Sequence, residues 1–125
     1  MKDYNVEIVN CSRETELTKR EIIKYKNPAN FNRIDKATAD GKVVRIEPDF
    51  WVELNIHNEK AKDGKDYKNY IIVTKSGECY VTGSKNFFDR FSDIHADMCG
   101  DAYELDMFQA KCKNRDGNYL TCAIV

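Results

Sequence analysis

Apolar residues fall at every second position in Phe50-Trp51-Val52-Glu53-Leu54-Asn55-Ile56, with Phe50, Val52, Leu54 and Ile56 on one side and Trp51, Glu53 and Asn55 on the other. A period of two predicts a half-buried strand. Residues 42–47 are also strand-like. Pro48, between the two runs, cannot donate a ladder hydrogen bond, so a bend or bulge is expected there. Residues 68–74 and 78–82 flank Lys75-Ser76-Gly77 and predict a hairpin; residues 103–112 and 118–125, around Lys113-Asn114-Arg115-Asp116-Gly117, predict a second pair of strands. The polar stretch 57–66, with Gly64, reads as an exposed loop.

Between the hairpins the period changes. From Ser84, Phe87, Phe88, Phe91, Ile94, His95 and Met98 recur at helical spacing, so residues 84–98 predict one amphipathic helix, capped by Ser84 and closed near Gly100. The first forty residues are polar and mixed in charge. Within them Thr18-Lys19-Arg20-Glu21 has capping-box spacing, Ile22, Ile23 and Tyr25 form a short stripe, and Asn27-Pro28 ends it. One or two helical turns are too short to stand alone, so residues 1–40 are expected to dock as an arm or cap on a domain formed by residues 41–125.

The order strand, strand, strand, helix, strand, strand points to a mainly β fold with one principal helix. It matches an OB-fold-like five-stranded barrel, with the helix between strands 3 and 4 and an N-terminal arm carrying a short helix. A sheet of the same element order that does not close is the alternative.

At 125 residues and 42% apolar, the chain suits one compact domain. A formal charge of -1 excludes a polybasic coat for duplex DNA or acidic lipid, so any nucleic-acid site must be a local patch. The longest apolar runs, such as Tyr70-Ile71-Ile72-Val73, fall far short of the ~20 residues that cross a bilayer, and Met1-Lys2-Asp3-Tyr4-Asn5 does not lead into a signal core. A cytoplasmic protein without membrane contact is therefore expected. Cys11, Cys79, Cys99, Cys112 and Cys122 include no Cys-x-x-Cys pair, and reduced, mostly buried thiols are the default.

Catalytic chemistry finds little support. His57 enters a polar loop, His95 sits on the apolar side of the helix, and no phosphate-cradling or calcium-loop motif occurs. Neither enzyme nor cofactor is expected. Rings on polar strand positions are more informative: Trp51, Tyr67, Tyr70, Tyr80, Phe108 and Tyr119 are interleaved with Lys42, Arg45, Lys68, Lys111, Lys113 and Arg115. Rings on which bases stack, beside cations that follow phosphates, are what unpaired nucleic acid requires. The segment from Lys111 to Asn118 is the densest positive cluster, and its glycine turn would let backbone amides approach a phosphate.

Several short motifs, in their order and spacing, give the chain a family resemblance. They are Leu17-Thr18-Lys19-Arg20-Glu21-Ile22 with Lys26-Asn27-Pro28, then Gly41-Lys42-Val43-Val44, then Ser76-Gly77-Glu78-Cys79-Tyr80-Val81-Thr82-Gly83-Ser84 with the Phe-rich helix, and last the basic glycine turn with Tyr119-Leu120-Thr121-Cys122. In these the chain resembles the small single-stranded-DNA-binding proteins encoded by phages and mobile elements of Gram-positive bacteria, broadly of the phi29 replication type. It departs from them where a small-residue Gly-Thr-Ser-Lys type of run often precedes the last turn, having Ala110-Lys111-Cys112-Lys113-Asn114 instead. The resemblance implies an OB-like protein without cofactor that coats single-stranded DNA during replication or transfer. Self-association, through open edge strands or exchange of the forty-residue arm, contact with a host or phage replication protein, and a place in the host cytoplasm are further expectations. The competing expectation is a phage-encoded inhibitor or adaptor that occupies a host protein's nucleic-acid site, motivated by Asp89, Asp93 and Asp97 at four-residue spacing on the helix.

Overall fold

A computed structural model describes residues 4–60 and 66–125. The fold is mainly β, with two sheets and no closed barrel. The strands are β1 (Tyr4–Cys11), β2 (Asn32–Arg33), β3 (Val44–Ile46), β4 (Pro48–Asn58), β5 (Asp66–Thr74), β6 (Cys79–Thr82), β7 (Leu105–Lys111) and β8 (Asn118–Ile124). The helices are α1 (Lys19–Tyr25), α2 (Ile34–Ala37) and α3 (Lys85–Met98). The larger sheet has the order β1-β4-β5-β6-β2 and the smaller β3-β7-β8. No described helix is long and apolar enough to cross a membrane.

The expected bend at Pro48 is a change of sheet. β3 pairs with β7, then the chain turns at Glu47 and enters the larger sheet as β4, with a register irregularity between Pro48 and Phe50. The Glu47 carbonyl, freed by the turn, accepts from the Lys75 N–H at 2.9 Å, which ties the β5–β6 hairpin to the switch point. A closing strand pair would have to join β6 to β8. Instead β2 takes the free edge of β6 in parallel, and α3, which follows β6, packs against β8. The barrel expectation is corrected accordingly: the two sheets share one bent strand and stay unjoined at the far side.

Each face of the larger sheet covers its own core. Val52, Leu54, Ile56, Ile71, Val73 and Val81 lie on one face with Val6, beneath Tyr25 and the half-buried Leu17 and Phe31 of the N-terminal segment. On the other face Tyr70 and Ile72 meet Phe87, Phe88 and Phe91 of α3 and Leu105, Met107 and Cys122 of the smaller sheet. Burial of each such side chain is worth about 1.5–3 kcal/mol. Because both faces are covered, residues 70–74 are buried without interruption.

The local signals translate directly. α1 carries the full capping box: the Glu21 N–H donates to Thr18 Oγ1 and the Glu21 carboxylate accepts from the Thr18 N–H. Ser84 Oγ accepts from the Phe87 N–H, and α3 ends at Cys99, whose backbone is left-handed at φ 50. Residues before 40 contribute to the larger sheet and its cover. β1 is an edge strand of the larger sheet, paired with β4, while α1 and Phe31 cap the sheet's outer face. The thiols are all free, but burial is uneven: Cys79 and Cys122 are buried, Cys11 and Cys112 are half-buried, and Cys99 is exposed.

Candidate nucleic-acid interface

Three of the expected ring positions are not open stacking surfaces. Tyr70 is 4% exposed and stacks on Phe88 with ring centroids 4.1 Å apart. Trp51 meets the same Phe88 edge-on at 4.9 Å and packs half-buried against the core beneath α3. Tyr80 is half-buried beside them, its hydroxyl 3.3 Å from Glu78 Oε2. At Trp51 the other side of β4 is covered by Phe88 of α3, while Asn55 further along the same side stays exposed.

Two of the expected cations are engaged. Arg45 holds Asp106 across the β3–β7 pair at 2.8 and 3.1 Å, with Glu104 at 3.8 Å, and the pairing draws the Asp106 carboxyl below its usual range. Lys68 donates to Glu53 on β4 at 2.6 Å, which raises the ammonium's pKa. Lys42, exposed just ahead of β3, lies at the other edge of the smaller sheet from β8.

Lys113, Arg115, Tyr119 and Phe108 converge. Lys111, at the end of β7, pairs in register with Asn118 at the start of β8, and the Cys112 N–H donates to the Gly117 carbonyl at 3.1 Å to close the basic hairpin tip. Gly117 takes φ 108, a conformation that favours glycine. The tip projects Lys113 and Arg115 into a cleft of about 370 Å³ whose far wall is Ser84 and Asn86 at the start of α3, with Tyr119 and Leu120 on its strand side. Lys111, Lys113 and Arg115 have no ion-pair partner among the described residues, while Asp116 sits at the same tip. Tyr119 is 47% exposed.

The cleft continues along β8. A second depression shares Asn86, Tyr119 and Leu120 with the first and is lined further by Phe108, Ala110, Thr121 and Arg90. Pairing of Phe108 with Thr121 and of Ala110 with Tyr119 puts both rings diagonally on the outer face of the smaller sheet, separated by small side chains. Arg90 Nε donates to the Cys122 carbonyl at 2.6 Å and fixes α3 against the edge strand. The first-turn amides of α3 lie at the positive end of its dipole, beside the two free cations. Ser84, Asn86 and Arg90 escape a reading of sequence, since helix cap and helix surface explain them there; the only hint is the polar Ser84-Lys85-Asn86 ahead of an apolar stripe.

Tyr67, 39% exposed on β5, lies apart from this cluster in a different depression with Arg33. The histidines are occupied: His57 Nδ1 and Nε2 each lie 2.7 Å from a carboxylate, of Asp66 and Glu59, and His95 Nδ1 is 2.7 Å from the Tyr103 hydroxyl. Among the described residues no three His, Cys, Asp or Glu side chains are grouped to hold a metal ion. Comparisons with family models, with characterised proteins and with solved structures find no match to this chain.

Proposed function

We propose that the protein binds single-stranded DNA without sequence preference and without catalysis, in the replication or transfer of phage or mobile-element DNA in a bacterial host's cytoplasm. One observation carries the reading. Two exposed or half-exposed rings, Tyr119 and Phe108, and two unpaired cations, Lys113 and Arg115, line one continuous cleft between the basic hairpin and the start of α3. Stacked bases on the rings and phosphates on the cations account for all four.

The strand arrangement supports the same reading. The bent β3–β4 segment pairs with β5 in one sheet and β7 in the other, β6 and β8 complete the two halves, and α3 lies between β6 and β7 in the chain. We read this order as that of an OB-like barrel left open, in which the basic tip would be the loop between the last two strands, one of the loops by which such folds hold oligonucleotides.

The test is fluorescence anisotropy of a labelled oligodeoxythymidine at low salt. The native chain is expected to bind, and Lys113→Glu with Arg115→Glu, or Tyr119→Ala, to weaken binding by about tenfold or more. No binding by the native chain, or equal affinity in the variants, overturns the proposal. The adaptor reading rests on Asp93 and Asp97, both exposed and without an ion-pair partner among the described residues. It would prevail if oligonucleotide binding were absent and Asp93→Lys with Asp97→Lys abolished capture of a host replication protein.

A further inference from the structure

A second concave surface lies across the end of β6 from the cleft. It is walled by Tyr67 and Asn69 of β5 on one side and by Pro28, Ala29 and Arg33 of the N-terminal segment on the other, and its floor is Thr82 and Gly83 at the end of β6. The next residue, Ser84, lines the first cleft. The two surfaces lie on opposite faces of the larger sheet, since Tyr67 and Asn69 pair with Ile56 and Leu54 while α3 covers the other face, and they are neighbours in the chain at the turn from β6 into α3.

The chemistry at its rim is of the same kind. Tyr67 is 39% exposed and makes no ring contact with its neighbours among the described aromatics. Arg33 projects into solvent, held by Asp35 at 3.2 Å, and both partners are more than half exposed. Such a pair contributes little and exchanges readily for a phosphate. Gly83 keeps the connection low: a Cβ there would stand 3.2 Å from Asn69 Oδ1 and narrow the passage.

From this adjacency and the like chemistry of the two rims we infer that the nucleic-acid site has two parts, and that a strand held at Lys113, Arg115 and Tyr119 passes around the end of β6 at Gly83 to place a further base on Tyr67 and a phosphate on Arg33. The inference rests on the single-strand reading above and adds the path and the length of the footprint. Unpaired strands follow such grooves by backbone charge and ring stacking, over roughly 4–16 nucleotides for one barrel.

Length dependence tests it. Binding of the full chain is measured for a short (~4-nucleotide) and a long (~16-nucleotide) oligodeoxythymidine, in the native protein, in Tyr67→Ala with Arg33→Gln, and in Tyr67→Phe. The double variant should lose about tenfold on the long oligomer, the equivalent of one stacked base, and keep its affinity for the short one, while Tyr67→Phe retains both. Unchanged affinity for the long oligomer, or an equal loss on both lengths, overturns the two-part site and leaves the hairpin cleft standing. Absence of binding in the native protein overturns both. Gly83→Val supplies an independent check: it should shorten the effective footprint without touching either end.

Discussion

Trp51 meets Phe88 edge to face, ring centroids 4.9 Å apart and planes at 86°, so the single indole of the chain reports on the contact between the larger sheet and α3. Edge-to-face pairs add about 0.5–1.5 kcal/mol beyond burial. Trp51→Ala is therefore expected to destabilise the fold by about 3 kcal/mol, measured as a shift in urea midpoint, and to leave oligonucleotide affinity of the folded protein unchanged. Indole emission should follow unfolding and stay nearly constant when oligodeoxythymidine is added. Strong quenching by bound DNA would contradict this placement.

The opposite fates of Trp51 and Tyr119 show where sequence is informative. Alternation places Trp51 away from Val52 and Leu54, which is correct, but it says nothing of whether that other face is covered. The cover is α3, distant in the chain and brought there by the turn after β6. Tyr119 alternates in the same way on β8, and there the ring stays 47% exposed. Local chemistry was legible wherever partners are neighbours: the Thr18–Glu21 box, the Ser84 cap, the Gly77 turn and the Phe87–Phe91 stripe all form as read. β1 was missed although Tyr4, Val6 and Ile8 alternate with Asn5 and Glu7, because an edge strand is defined by its partner, here β4. The Arg45–Asp106 and Lys68–Glu53 pairs depend on strand register, which composition does not reveal.

That difference in pairing predicts which cations DNA releases salt against. A cation that neutralises a phosphate on a single strand adds about 0.7 to the slope of log affinity against log salt. Lys113→Gln and Arg115→Gln should each lower the slope by about that amount, measured by anisotropy across a salt series. Lys68→Gln and Arg45→Gln should leave it unchanged, because Glu53 and Asp106 already hold those charges.

Arg13 fastens the N-terminal segment to the larger sheet. Its guanidinium binds both oxygens of Glu21, at 2.6 and 2.8 Å, donates to the Glu16 carbonyl at 2.8 Å, and lies 5.0 Å above the ring of Phe50. These bonds, with the Thr18 N–H, hold the Glu21 carboxyl down at about 2 from its ordinary 4.5. A depressed carboxyl stabilises the fold above its unfolded value and loses that contribution as pH falls through the folded one, so the loss runs between pH 4.5 and about 2. Glu21→Gln should cost about 1 kcal/mol at neutral pH, and its difference from the native protein should vanish toward the acid end of that window in urea titrations.

His57 and His95 titrate with opposite effect on stability. The hydrogen bonds of His57 to Asp66 and then Glu59 raise its pKa above 6.5, so its contribution is fully present below 6.5 and is lost as pH rises through the raised value. Burial lowers that of His95, beside the ring of Phe91 and the Tyr103 hydroxyl, so the fold favours its neutral form and loses stability as pH falls below 6.5 toward the lowered value. In the native chain the two slopes oppose each other near neutrality. His57→Gln removes one of them. The variant should match the native protein in alkaline solution, at about pH 9, and fall behind it at about pH 6, where imidazolium at position 57 would otherwise bridge β4 and β5. Histidine proton shifts followed across the same range should give one value above 6.5 and one below; two values on the same side would remove the basis for the opposed slopes.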